Sequence, residues 1–494
     1  MSRLDPIALQ VMVGALRAAC EEMGVVLVRS SHSANIKERR DASTGLFDAE
    51  GRMVMQAEHI PVHLGAMPSA VAAVIDEEQR PGDAWVLNDP YQGGTHLPDI
   101  TVISPIFVGD EPAGFAASRA HHADVGGREP GSMPADSRTL EDEGVVISPR
   151  RLDDEAIEEL AGQMRGPRQR EADLRAQLAA NRSGAERVAA LAERYGLDTV
   201  RAAMEDTLDY AERRTRARIE ELDDGRREAY DVLEAADEDL DLRLVATVEG
   251  DELALDFEGT AEQHDGNLNC PLPVTLSACY FALRVLTDPD VPPCEGAYRP
   301  LTVKAPEGSL LNARPPAAVA AGNVETSSRV ADLVLAAFGR ALGQGTMNNL
   351  TLGNDAFTYY ETLGGGQGAC PDADGPSAVH VAMSNTLNTP IEALELEFPL
   401  RAVEYSLRRG SGGDGKFSGG QGVARELEAL EPMRYSLITE RRRHGPPGAE
   451  GGKPGEPGRN LLNGEEIPGK TSGELEPGDR LRIETPGGGG HGKR

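Results

Sequence analysis

The side chains with the most evident chemistry are concentrated between Asn88 and Pro149. There NDPYQGGTHLPDITVISPIF is followed, after a short link, by SRAHHADVGGREPGSMPADSRTLEDEGVVISP. Three of the 10 histidines (His96, His121 and His122) fall in this stretch with Asp99 and Asp124, set among glycines and prolines. Imidazole nitrogens and carboxylate oxygens are the donors that hold borderline or hard divalent cations. A single His-x-x-Asp arises readily by chance, and a lone histidine is more often a hydrogen-bonded structural residue. It is the density of such groups that predicts a metal site here.

Local geometry narrows the set. Pro98 disfavours the helical region at Leu97, so His96 and Asp99 are expected in a tight turn. ITVISPIF is β-branched and alternating and reads as a strand ended by Gly109 and Asp110; GFAASRAHHAD reads as its neighbour. In an extended segment His121 and His122 point to opposite faces. At most one of them joins His96 and Asp99, and we take His121.

The remainder of the chain must hold these groups in place. With 494 residues it is long enough for two or three domains with their own cores. A hydrophobic content of 39% and a mean hydropathy of −0.39 describe a water-soluble chain, and no apolar run approaches the length needed to cross a bilayer. The N-terminus lacks a signal-peptide layout, so a cytoplasmic location without a membrane partner is expected. The formal net charge of −31 argues against a nucleic-acid partner, because phosphate binding needs the opposite sign. Five scattered cysteines without a C-x-x-C pair predict reduced, structural thiols.

Pro6 to Arg29 carries apolar residues at helical spacing, with Asp5 as N-cap and Pro6 in the first turn. STGLFDAEGRMVMQ reads as two strands around Asp48–Gly51, residues 67–80 as a helix, and AWVLND as a strand. In the charged run Lys37 to Asp41, one carboxylate is expected to turn inward. From about Arg150 to Glu234 long Glu-, Arg- and Ala-rich helical patterns dominate. Strands return from Glu234, a helix is expected at TLSACYFALRVLT, and PPAAVAAGNVETSSRVADLVLAAFGRAL should end in another. The last hundred residues are rich in Gly and Pro, with strands expected at ALELEFPLRAVEYSL and RLRIET. These segments divide the chain into residues 1–150 (metal-site core), 151–234 (helical), 235–400 (second α+β region) and 401–494 (Gly/Pro-rich β region). The expected fold is α+β and multi-lobed, with clustered strands and a helical insertion. Regular βαβ units are missing, so a doubly wound Rossmann sheet is not expected.

Residues 464–471, GEEIPGKT, match the phosphate-loop pattern GxxxxGK followed by Ser or Thr. That motif needs a strand before it and a helix starting at the Lys-Thr. Here Gly and Pro follow, and two glutamates in the loop would repel phosphate, so no nucleotide site is expected. TPGGGG near the C-terminus is read as a flexible tail, with an anion-binding nest of amides as the alternative.

The stretches IKERRDAS, GLFDAEGRMVMQAEHIPVHLGAMP, NDPYQGGTHLPDITVISPIF, SRAHHADVGG, PGSMP, EGVVISP, AGNVETSSRV, NTLNTPIEALE and TPGGGG resemble, in order and across nearly the whole chain, the hydantoinase B/oxoprolinase family. That family includes the α subunits of acetone carboxylase and related ketone carboxylases. The chain departs from it in ending HGKR where many members place an aromatic after the glycines, which touches none of the residues above. The resemblance implies a subunit that works with a hydantoinase A-type partner, in which ATP binds to an actin-like fold. It also implies a divalent metal, Mn²⁺ or Zn²⁺, on Glu38, His96, Asp99 and His121; spacing alone does not select Glu38.

The implied activity is ATP-dependent opening of a cyclic amide such as 5-oxoproline or a hydantoin. Phosphorylation of the carbonyl in the partner would overcome amide resonance before the metal site completes the step. His59, His63, His122 and Asp124 are candidates for proton transfer or for supporting the ligands. The alternatives are carboxylation of a small ketone and a non-catalytic scaffold for the partner.

Overall fold

Asp5 and Pro6 start the first helix as their types require. The Asp5 carboxylate accepts from the amides of Ile7 and Ala8, both at 3.0 Å, and the helix runs Pro6–Ser30. Its buried stripe includes Leu9, Met12, Val13, Leu16, Cys20, Met23 and Leu27, the spacing of one helical face. This face packs on a six-stranded sheet and on the long helix Pro167–Tyr195. The two helices cross at Gly184, where a Cβ would lie 2.4 Å from the Met23 sulfur. The computed structural model describes residues 4–58, 60–236 and 238–494.

The six-stranded sheet is antiparallel, in the order Met53–Glu58, Ala42–Phe47, Glu111–His121, Asp99–Val108, Trp85–Leu87, Arg150–Arg151. Its central hairpin is the expected pair of strands, turning at Gly109 with φ 63°. The helix Pro167–Tyr195 clamps this hairpin with side-chain amides. Gln177 Nε2 donates to the Ile100 and Ser118 carbonyls (3.0 and 3.1 Å), and Asn181 Nδ2 to the Val102 carbonyl (2.9 Å). Buried amides that satisfy strand carbonyls fix both register and docking angle.

Among the described residues there are three further sheets. One orders Leu301–Lys304, Glu252–Asp256, Asp239–Glu249 and Gly225–Glu234, another Thr358–Glu361, Asn349–Gly353, Met433–Ile438 and Lys470–Leu475. The last orders Leu400–Arg408, Gly422–Ala429, Arg480–Glu484, Arg459–Leu462 and Glu465–Ile467. The architecture is mixed α and β with separate sheets, not a doubly wound one. Among the described residues no helix is long and apolar enough to cross a membrane.

Several local expectations are corrected. The helical pattern ends at Ile219, and Gly225–Glu234 is a strand whose exposed face carries the charges that mimicked a helix. The helix expected over 67–80 is only Ala66–Ala72. The stretch ALELEFPLRAVEYSL begins inside the helix Ile391–Glu397, and only its second half belongs to a strand, Leu400–Arg408; Pro399 separates them. The phosphate-loop match is two strands, and Lys470 is tied to the Glu440 carboxylate (2.5 Å) and the Glu234 carbonyl (2.8 Å).

The glycine tail is buried and built in. The amides of Gly488, Gly489 and Gly490 donate to the carbonyls of Gly420, Leu342 and Lys453 at 2.8–2.9 Å. Those amides are occupied, so they form no anion nest. A Cβ on Gly488 would lie 2.0 Å from the Gln367 carbonyl oxygen; the glycines allow main chain to pack on main chain. All five cysteines are free, four of them buried, and burial pushes the Cys270 thiol up to about 12.

Candidate metal centre

The loop Asn88–Pro98 carries His96, and its first residue anchors it. Asn88 Nδ2 donates to the Leu97 carbonyl (2.8 Å) and the Val145 carbonyl (2.9 Å), while its Oδ1 accepts from the Ile147 amide (2.6 Å). Around Pro98 the chain makes the expected turn, the Asp99 amide donating to the His96 carbonyl at 3.0 Å. Asp99 then opens its strand, directly opposite His121 in the register.

Three ligand atoms converge. His96 Nε2 lies 3.2 Å from Asp99 Oδ1 and 3.2 Å from His121 Nδ1, and His121 Nδ1 lies 3.1 Å from Asp99 Oδ1. All three residues are buried. Donors held about 2.1 Å from one cation at tetrahedral to octahedral angles stand about 3.0–3.4 Å apart. The triangle therefore fits a divalent ion, and its mixed nitrogen and oxygen donors suit Mn²⁺ or Zn²⁺.

The second carboxylate oxygen of Asp99 is held from behind. Thr95 Oγ1 donates to Oδ2 (2.7 Å) and His63 Nε2 is 3.3 Å from it, while His63 Nδ1 meets Ser43 Oγ at 2.9 Å. Burial raises the Asp99 carboxyl, but His96, His63 and His121 outweigh it and hold it well below the carboxylate range. Burial lowers His121, with Asp99 opposing, which favours the neutral imidazole a cation requires. The Tyr360 ring stacks on His121 (centroids 4.5 Å apart, 18° between planes), and its hydroxyl donates to Asn349 Oδ1 at 2.5 Å.

The structure sorts the sequence candidates. His96, Asp99 and His121 come together, and His63 joins them as support for Asp99. His122 lies on the opposite face of its strand, with Nε2 3.0 Å from Gln177 Oε1; burial pushes it down to about 4. Asp124 holds a loop instead, accepting from the amides of Gly126 (2.7 Å) and Gly131 (2.8 Å) and from Arg165 (3.0 Å). His59 lies outside the described residues.

Glu38 is not among the groups that reach the triangle. It caps the short helix Ala34–Lys37 and is half-buried. Arg40 then takes a left-handed φ of 56°, and Arg39 and Asp41 are the residues that turn inward. Asp41 lines the same cavity as the triangle, and its carbonyl accepts from the His121 amide (3.0 Å). The inward carboxylate of the charged run is thus Asp41. Its place directly before the strand Ala42–Phe47 was the available signal. Tyr360 and Asn323, which also line the cavity, come from distant parts of the chain and had none.

The family model described as hydantoinase B/oxoprolinase matches residues 5–494. The chain belongs to that family. An uncharacterized protein of Methanocaldococcus jannaschii is 38% identical, the match covering 99% of this chain and 91% of that one. The 5-oxoprolinase of Dictyostelium discoideum is 38% identical over the whole of this chain but 41% of its own length. This family member thus spans about two fifths of the 5-oxoprolinases it matches. Among solved structures, the ATP-dependent caprolactamase of Pseudomonas jessenii superposes with a TM-score of 0.93 at 28% identity, covering 100% of this chain and 92% of the other. Nucleotide-free acetone carboxylase superposes with a TM-score of 0.90 at 19% identity, covering 99% of this chain and 76% of the other; that likeness is one of fold.

Proposed function

We propose that this chain is the metal-bearing B-type subunit of an ATP-dependent cyclic amide hydrolase, with ATP used by a separate A-type subunit. The observation that carries the reading is the convergence of His96 Nε2, Asp99 Oδ1 and His121 Nδ1. It occurs in a chain whose relatives include proteins named 5-oxoprolinase and caprolactamase. Both names denote action on lactams, the amide class that resists direct hydrolysis.

The chain's own residues account for the site's rigidity. Thr95 and His63 fix the rotation of the Asp99 carboxylate, Tyr360 fixes the plane of His121, and the central hairpin fixes their separation. When bound, a divalent cation would supply Lewis acidity toward a carbonyl and lower the pKa of water. His63 bridges Asp99, at Nε2, and the Ser43 hydroxyl, at Nδ1, and so ties the carboxylate to the strand Ala42–Phe47. Asp41 stands beside the triangle as a candidate further oxygen donor in place of Glu38.

Co-purification with an A-type partner, followed by assay of 5-oxoproline, caprolactam and a hydantoin, tests this reading. Ring opening that requires ATP, stops with chelator and returns with Mn²⁺ or Zn²⁺ is expected. Full activity in a metal-free preparation overturns it, and dependence on bicarbonate with a ketone substrate would assign carboxylation instead.

A further inference from the structure

The short helix Ala34–Lys37 and the start of the helix Pro167–Tyr195 meet at a second cavity, of about 680 Å³. Asp173 joins the two segments. Its Oδ1 accepts from the amides of His32 (2.8 Å) and Ser33 (3.2 Å), and its Oδ2 from Arg170 Nη2 (3.3 Å). Phe357 and Phe398, packed against each other with ring centroids 5.8 Å apart, also line the cavity.

What this cavity has in excess is hydrogen-bond donors. Ser33, Asn35 and Arg170 all line it and are only 1–2% exposed. Ser33 Oγ, Asn35 Nδ2 and Arg170 Nε have no hydrogen-bond partner among the described residues. Ser33 even stands at the N-cap of its helix without making a capping bond. Two of these three groups are N–H donors that cannot accept, so a ligand that satisfies them must bring acceptor oxygens. Each buried donor left unpaired carries a free-energy cost that such a ligand would remove.

The electrostatics have the same sign. The 29-residue helix is preceded by Gly166, at φ 66°, which has no side chain to cap the first-turn amides. The positive end of the helix dipole therefore lacks a side-chain acceptor. Arg168, exposed in the first turn, adds its charge to the same cavity. Arg165 lines it too but is already tied to Asp124 (3.0 Å) and the Gly127 carbonyl (2.8 Å). Asp355 and Glu397 are the opposing carboxylates, and both are exposed, where water weakens their repulsion of an anion.

We propose that this cavity binds phosphate, either free or as the phosphoryl group of a small molecule. A carboxylate offers two oxygens, whereas a phosphoryl group offers three, enough for Ser33, Asn35 and Arg170 together, with Arg168 balancing its charge. A helix N-terminus is suited to the same anion. The net charge of −31 disfavours a polyanion as the source. The inference does not rest on the metal-site reading, although Tyr360 lines both cavities.

Isothermal titration calorimetry of the full chain with inorganic phosphate, phenyl phosphate and benzoate, at one ionic strength, tests this. At least one of the two phosphates should bind saturably, and benzoate should not. Phenyl phosphate bound at least as tightly as inorganic phosphate assigns the site to a phosphorylated small molecule. Weaker binding of phenyl phosphate assigns it to the free anion.

Arg168→Gln should weaken phosphate binding about tenfold with the melting temperature unchanged. Arg182→Gln removes an exposed charge further along the same helix and should leave binding as it was. Asn35→Asp should abolish binding by setting a carboxylate against the phosphate. The inference is overturned if neither phosphate binds saturably, if benzoate binds as tightly, or if Asn35→Asp binds like wild type. Should Asn35→Asp fail to fold, the two arginine variants decide, and no difference between Arg168→Gln and Arg182→Gln overturns it.

Discussion

Asp99 and His121 face each other across the central hairpin, with His121 Nδ1 3.1 Å from Asp99 Oδ1. Their separation is thus a property of strand register. A slip of one residue in the strand Glu111–His121 would turn His121 to the other face and away from Asp99, to the side where Gln177 already occupies His122. The amide clamps from Gln177 and Asn181 guard against that slip. Replacing Gln177 with Leu should therefore lower stability, by about 2–3 kcal/mol for two lost carbonyl partners, and reduce metal uptake though Gln177 is no ligand. Denaturant melts paired with metal analysis check this, and intact uptake at reduced stability would contradict it.

Glu38 and Asp41 compete for the role of further oxygen donor. Asp41→Asn should weaken metal binding about tenfold to a hundredfold, while Glu38→Gln should leave it unchanged. Competition with a chromophoric chelator reads both. The reverse order of effects would restore Glu38 to the site.

Tyr360 separates packing from hydrogen bonding. Tyr360→Phe keeps the ring on His121 but leaves Asn349 Oδ1 unpaired, at a cost of about 1–2 kcal/mol, with metal affinity retained. Tyr360→Ala should also release the His121 ring and cut metal affinity about tenfold. Equal metal affinity in the two variants would rule out orientation by stacking.

Much of the centre can be read in the chain because its key pair is local. His96 and Asp99 flank one proline, and the alternation of two strands places His121 inward and His122 outward. Tyr360 and Asn323 escape such reading for physical reasons. They arrive from a separate sheet and from the single π-helical turn Gly322–Thr326, and no periodicity within a segment records which distant segment packs on it. The C-terminal glycines mislead for a related reason. Glycine serves both flexible linkers and tight backbone packing, and only the facing carbonyls of Gly420, Leu342 and Lys453 distinguish the two. In the charged run the left-handed Arg40 gives the buried phase to Arg39 and Asp41 and leaves Glu38 half-buried, a break in phase that no periodicity announces.

Glu325 should shape the pH dependence of stability. Burial, then the nearby Glu440 charge, push its carboxyl up to about 7 from an ordinary value of 4.5. A carboxyl raised on folding binds its proton more tightly in the folded state. Its contribution is full below about pH 4.5 and is lost as pH rises through about 7. Glu325→Gln cannot ionise, so it should flatten the fall in stability between pH 5 and pH 8. Urea midpoints at those two pH values check this; parallel wild-type and variant slopes would contradict it.

The central claim is that one cation sits among His96, Asp99 and His121. Anomalous X-ray scattering from crystals grown with Mn²⁺, collected at energies above and below the metal edge, tests it most directly. The account predicts a single strong peak about 2.1 Å from His96 Nε2, Asp99 Oδ1 and His121 Nδ1, absent in His96→Ala. A complex active on lactams whose crystals show no peak there, or show it at another cluster, would contradict it.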